Sequence, residues 1–152
     1  MLYVLDTNIL LLSLINEAFE EYFIETYRPE INDLVISAVS EGELRSVALQ
    51  RNWGRRKVQQ LDSTLSNIVI YPVKVQRIID AYAEIDAYSQ GKLLSKPLPT
   101  GMTARNMGKN DIWIAATAHV NQGKLVTTDQ DMIHLDPIFC QVELIDIALF
   151  KG

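Results

Sequence analysis

The chain has one cysteine, Cys140, among its 152 residues, so no internal disulfide can staple it and a packed core must hold it together. The neighbours Ile138, Phe139 and Val142 mark that thiol as a core residue. Histidine is nearly as scarce. His119 lies in an Ala-rich helical stretch and His134 follows Asp131; two isolated histidines make no zinc site. Neither His is placed to act as the base for Ser37 or Ser40, so nucleophilic hydroxyl catalysis has no support. No long apolar run exists either. Ile9 to Ile15 is far shorter than the roughly 20 residues that a membrane span needs. No basic segment precedes the first apolar residues, so a signal peptide is not expected. Basic residues are also outnumbered, 14 Lys and Arg against 19 Asp and Glu. The net charge of −5 speaks against broad, non-specific nucleic-acid binding, which normally needs a basic surface. It does not exclude a nuclease, because a site built from carboxylates is itself negative and divalent cations offset it locally. Repeats, low-complexity tracts and linkers are missing. The expectation is a single domain over residues 1–152, cytoplasmic, with no membrane association.

What is present is an alternation of strand and helix signals. Leu2 to Leu5 is a short apolar run of the kind buried on both faces of a sheet, and it stops at Asp6-Thr7-Asn8. Ile9 to about Tyr27 reads as one or two helices, with Phe19, Tyr22, Phe23 and Thr26 at helical spacing, closed by Pro29. Leu34-Val35-Ile36 is a second strand, followed by a helix to about Gln50, the basic patch Arg51 to Lys57, and a helix carrying Val58, Leu61 and Leu65. A third strand, Ile68 to Tyr71, ends at Pro72. Val75 to Ser89 is an amphipathic helix with the stripe Ile78, Tyr82, Ile85, Tyr88. Gly91 to Gly108 has no period and reads as a long loop, a length that is usually functional in a compact domain. Asn110-Asp111 opens a helix from Ile112 to about Asn121, with Gly123 as its terminating residue. Leu125 to Thr127 and Val142 to Ile147 are the fourth and fifth strands, with a short helical turn after Asp129. This order predicts an α/β fold, a three-layer α/β/α sandwich around a five-stranded parallel sheet.

Four acids fall at one edge of that sheet. Asp6 ends the first strand, Asp129 ends the fourth, Glu43 lies early in the helix after the second, and Asp111 starts the helix leading into the fourth. Each also has a plain structural role open to it. Asp6 and Asp129 could cap the turns after them, Asp111 could sit favourably on a helix N-terminus, and Ser40-x-x-Glu43 fits a capping box. Together they are harder to explain as caps. Carboxylates about 4 Å apart repel by roughly 4 kcal/mol at an effective dielectric near 20, so such a group must bind cations or hold protons. Ligands that are all oxygen suit Mg²⁺ or Mn²⁺.

The segments Leu5-Asp6-Thr7-Asn8, Ile36-Ser37-Ala38-Val39-Ser40-x-x-Glu43-Leu44, Asn110-Asp111-x-x-Ile114-Ala115-Ala116-Thr117-Ala118 and Leu125-Val126-Thr127-Thr128-Asp129-x-Asp131 resemble the four signature blocks of PIN-domain ribonucleases. They are most similar to those of the VapC-type toxins of type II toxin–antitoxin pairs, in the family's order along the whole chain. The resemblance implies that Asp6, Glu43, Asp111 and Asp129 hold one or two Mg²⁺ or Mn²⁺ ions. Asn8, Ser40, Thr127 and Asp131 would be supporting polar residues. It further implies an RNA substrate, a homodimer, and a small antitoxin protein that blocks the acidic cleft. Two departures stand out. Met132 occupies a position where the family usually has Phe, and the loop before Asp111 lies outside the motifs. That loop carries Lys96 and Arg105, with Lys109 just beyond it, as candidates for RNA phosphate contacts.

Other classes fit less well. A phosphoreceiver domain needs an Asp ending the third strand, where this chain has Tyr71-Pro72. Haloacid-dehalogenase-type phosphatases need Asp-x-Asp-x-Thr after the first strand, and Asp6-Thr7-Asn8 is not that. The alternative is a non-catalytic or housekeeping PIN-type nucleic-acid-binding protein; a non-catalytic one would typically have lost one or more of the acids.

Overall fold

Tyr3, Val4 and Leu5 cannot face water on either side, and the computed structural model, which describes residues 1–150, puts their strand in the middle of the sheet. Strands β1 (Leu2–Leu5), β2 (Asp33–Ser37), β3 (Val69–Tyr71), β4 (Lys124–Thr127) and β5 (Val142–Leu144) form one sheet in the order β3-β2-β1-β4-β5. Every pairing is parallel. Successive side chains enter opposite cores, as the two-residue period of a strand requires. Val4, Val35 and Leu125 face one apolar layer, while Leu5, Ile36 and Val126 face the other.

The first layer is filled by α5 (Gln76–Ser89) and α6 (Lys109–Asn121), the second by α1 (Thr7–Ile15), α2 (Glu17–Tyr27), α3 (Ala38–Gln50) and α4 (Arg55–Ser66). Fully burying a Leu, Ile or Phe contributes about 1.5–3 kcal/mol, and both layers contain several. The expected three-layer α/β/α sandwich with five parallel strands is the fold observed.

The region from Ile9 to Tyr27, expected as one or two helices, is two, because Asn16 is extended (φ −131°) and its side chain accepts the Phe19 amide as a new N-cap. Other details differ from the expectation, each for a local reason. In α2 the buried stripe is Phe19, Phe23 and Tyr27, and Thr26 faces solvent. In α5 Ala81 joins Ile78, Ile85 and Tyr88 in the core, and Tyr82 is half-buried. The residue that ends α6 in the left-handed region is Gln122 (φ 53°), not Gly123. Gly123 is small for another reason. A Cβ there would run into the Leu2 side chain and lie 3.1 Å from Val4, where the chain re-enters the sheet beside β1. β5 ends at Leu144, although the Ile145 amide still donates to the Thr127 carbonyl (2.8 Å), and a 3₁₀ turn follows over Ile147–Phe150. Met132 is fully buried in the core with Tyr88 and Phe139, so its thioether serves packing.

The strand order reverses between β1 and β4. From β1 the chain moves outward through β2 to β3, then crosses back to the other side of β1 for β4. In open α/β sheets the carboxyl ends at such a reversal form the ligand crevice. Asp6 follows β1 and Asp129 lies two residues beyond β4, so both occupy that crevice.

Candidate metal centre

Asp6 is buried, and both of its carboxylate oxygens are engaged. Oδ1 accepts the Thr7 amide (2.7 Å), and Oδ2 accepts the hydroxyl of Thr127 at the end of β4 (2.6 Å). The same Thr127 oxygen accepts the Asp129 amide (3.0 Å), and Asp129 Oδ1 accepts the Asp131 amide (2.9 Å). One threonine therefore ties the ends of β1 and β4 and aims the acids that follow them. Asp6 also caps α1 and Asp129 caps the 3₁₀ helix Gln130–Leu135, so capping and clustering coexist at these two residues.

For Glu43 the capping box is not formed. The N-cap of α3 is Ser37, whose hydroxyl accepts the Val39 amide, which places Ser40 and Glu43 inside the helix. Glu43 Oε1 instead accepts the Thr7 hydroxyl (2.7 Å), and Thr7 Oγ1 lies 2.9 Å from the buried Ser40 Oγ. A hydroxyl has one proton; with that of Thr7 given to the carboxylate, Ser40 is left to donate back. Thr7 thus joins Asp6, through its amide, to Glu43, through its side chain.

Asp111 is not the opening residue of its helix. α6 begins at Lys109 with Gly108 as N-cap, no side-chain cap forms, and Asp111 lies within the first turn. It does not cap. Burial pushes its carboxyl up to about 6, and the negative charges of Asp6, Asp129, Glu43 and Asp131 push in the same direction. Asp6 is also raised, chiefly by burial, with the hydrogen bonds from Thr127 and Thr7 opposing and the charges of Asp129 and Glu43 adding to the shift. Asp111 thus feels the other three acids, and Asp6 feels Asp129 and Glu43.

Among the described residues no Lys or Arg forms an ion pair with Asp6, Glu43, Asp111 or Asp129. Among the described residues the only ion pair at its rim is Arg105 Nη1 with Asp131, at 3.9 Å. Among the described residues no three His, Cys, Asp or Glu side chains stand close enough together, as placed, to hold a metal ion. The fit to a divalent cation rests on the donors themselves: oxygen only, with raised proton affinity at Asp6 and Asp111 and no counter-charge on the four acids among the described residues.

The remaining candidates divide. Thr127, Ser40 and Asp131 are joined to the acids as described. Asn8 is exposed on the first turn of α1, next to Thr7, which bonds Glu43. Lys96 is drawn away, pairing with Glu84 (3.6 Å) and lying over the Phe139 ring (5.1 Å). Lys109 is exposed at the start of α6, two residues from Asp111. Arg105 reaches the rim. The basic patch continues past the far end of α3, where Lys57 lies over Trp53. His119 Nδ1 is bonded to the Phe139 carbonyl (2.8 Å), and His134 is buried against Ser89 Oγ (2.7 Å). Both histidines serve packing. Thr7 is the residue that motif reading passed over; its β-branched hydroxyl between Asp6 and the helix was the available signal.

Comparison with known proteins agrees with this fold. The family described as PIN domain matches residues 3–137. No curated protein matches the chain. Among solved structures, VapBC2 from Rickettsia felis bound to a DNA fragment from their promoter aligns with a TM-score of 0.72 at 20% identity, covering 96% of this chain and 100% of that one. FitAcB from Neisseria gonorrhoeae aligns at 0.67 and 22%, covering 92% and 95%. A toxin–antitoxin complex from Klebsiella pneumoniae aligns at 0.62 and 20%, covering 90% and 92%.

Proposed function

The chain belongs to the PIN-domain family, and from that premise we propose that it is a Mg²⁺- or Mn²⁺-dependent endoribonuclease, the toxin of a type II toxin–antitoxin pair. The observation that carries the reading is the uncompensated group of Asp6, Glu43, Asp111 and Asp129 at the switch point of a parallel sheet. All four acids are retained, which favours a nuclease over a non-catalytic nucleic-acid-binding protein. Asp6, Glu43, Asp111 and Asp129 would hold the cation. A bound Mg²⁺ or Mn²⁺ supplies a water of lowered pKa and charge stabilisation for the leaving oxygen of a phosphodiester.

The chain's own contribution is positional. Thr127 and the Thr7 amide hold Asp6 in one orientation, and the Thr7 hydroxyl holds Glu43 towards it. Asp111, raised to about 6, keeps a proton in acid and releases it near neutral pH, where the carboxylates can bind a cation. The likeness in fold to a toxin–antitoxin complex supports a small antitoxin as partner; a homodimer is what the family resemblance implies. No helix among the described residues is long and apolar enough to cross a membrane.

The test is direct. Purified protein should cleave RNA when Mg²⁺ or Mn²⁺ is supplied and stop when the metal is chelated. Cleavage that persists undiminished in excess chelator, with contaminating nucleases excluded, would remove the metal mechanism.

A further inference from the structure

Arg105 sits in the loop between α5 and α6 as if a partner were missing. Its side chain is about two-thirds covered (32% exposed), and its Nε is buried with no hydrogen-bond acceptor among the described residues. The guanidinium has five donors in a planar fork. The one anion it meets is Asp131, at 3.9 Å, beyond hydrogen-bond length. Asp131 is itself 81% exposed, and exposed ion pairs contribute little. The pair is therefore easily exchanged.

The arginine is nevertheless firmly placed. Its amide donates to the Ser89 carbonyl (2.7 Å), and the Ser89 hydroxyl lies 2.7 Å from His134 Nε2 and 3.2 Å from Met107 Sδ. The end of α5, the loop on both sides of residue 105 and the 3₁₀ helix after Asp129 are thus fastened at one buried point. That 3₁₀ helix begins at Gln130, and Asp129 caps it by accepting the Asp131 amide. The fastening sets Arg105 at the rim of the acids, with its fork unfilled.

We propose that Arg105 is the phosphate clamp of the site: it rests against Asp131 and exchanges that carboxylate for a backbone phosphate of the RNA next to the scissile bond. The proposal rests on the ribonuclease reading above. A guanidinium fork matches a phosphate through paired charge-assisted hydrogen bonds, which Asp131 at its present distance does not supply. Ser89 and His134 are positioning residues. They act through the loop and touch no substrate.

The test uses the full chain, Ca²⁺ in place of the active metal, and a short fluorescein-labelled single-stranded RNA of mixed sequence, read by anisotropy over a series of KCl concentrations. Arg105→Ala should weaken binding roughly 10- to 100-fold and lower the slope of log affinity against log salt by about 0.7. Arg105→Lys should keep the slope and recover only part of the affinity. Asp131→Asn should tighten binding by roughly two- to fivefold, and only while Arg105 is present. An Asp131→Asn gain that persists in the Arg105→Ala background would mean a general charge effect and would overturn the exchange. A parent that binds RNA with an unchanged slope after Arg105→Ala would overturn the clamp while leaving the ribonuclease reading intact. A parent that binds no RNA would overturn both.

Discussion

Thr127 does two things with one hydroxyl, donating to Asp6 and accepting from the Asp129 amide. Replacing it by the near-isosteric Val leaves a buried carboxylate oxygen and an amide unpaired. Thr127→Val should cost about 1–3 kcal/mol in urea unfolding at neutral pH, because bonds to charged groups are the stronger kind, and Thr127→Ser should recover most of it. A neutral Thr127→Val would mean the bond to Asp6 contributes nothing. The pH dependence belongs to the same scale. The Asp111 carboxyl has a folded value of about 6 against an ordinary 3.8, so the fold favours its protonated form. Its stabilising contribution is complete below about pH 4 and is lost as pH rises through 6. Asp6 shifts in the same direction. Metal-free protein should therefore lose roughly 1–3 kcal/mol between pH 4 and pH 7, discounted for the partial exposure of Asp111. Urea titrations in chelator across that range should show the loss; stability that rises steadily over the window would contradict the assignment. The four acids were legible in the sequence because strand ends and helix starts fix where they fall. The role of Thr7 was not, since its reach to Glu43 depends on how α1 packs beside α3. Asn8, chosen from the motif, is exposed, while its neighbour Thr7 bonds Glu43.

At the scale of elements, apolar runs located all five strands, and turn chemistry was the less readable part. Gly123 looked like a helix terminator because glycine usually is one, yet the left-handed residue is Gln122. The glycine is required by the close approach of β4 to β1, a contact that no local pattern encodes. Gly123→Ala should therefore destabilise by about 1–3 kcal/mol through a clash with Leu2 and Val4, not through helix termination. Thermal melts of Gly123→Ala alone and combined with Leu2→Ala separate the two causes, because trimming Leu2 should relieve a clash and cannot repair a cap. The fifth strand was drawn too long because Ile145 and Ile147 are apolar, although only Ile145 still bonds to β4. The start of α6 was drawn too late because Lys109 and Asn110 carry no apolar signal, and the earlier start moves Asp111 off the cap and into the first turn.

Across the whole molecule, a net charge of −5 is concentrated in function by a fold that gathers four acids at one sheet edge. A caps-only account and a metal-site account predict opposite signs for one substitution. If the carboxylates form a cation site, Asp111→Asn relieves repulsion and desolvation in the metal-free protein. That gain should outweigh the loss of about 0.3–1 kcal/mol from removing an acid at a helix N-terminus. The measurement is the melting curve of the parent and of Asp111→Asn near neutral pH, each in chelator and in Mn²⁺. The variant should melt higher than the parent in chelator, by about 2 °C or more for each kcal/mol gained. Mn²⁺ at a hundred times its dissociation constant should stabilise the parent by about 2.7 kcal/mol and the variant by clearly less. A variant no more stable than the parent in chelator, with an undiminished response to Mn²⁺, would contradict the metal centre.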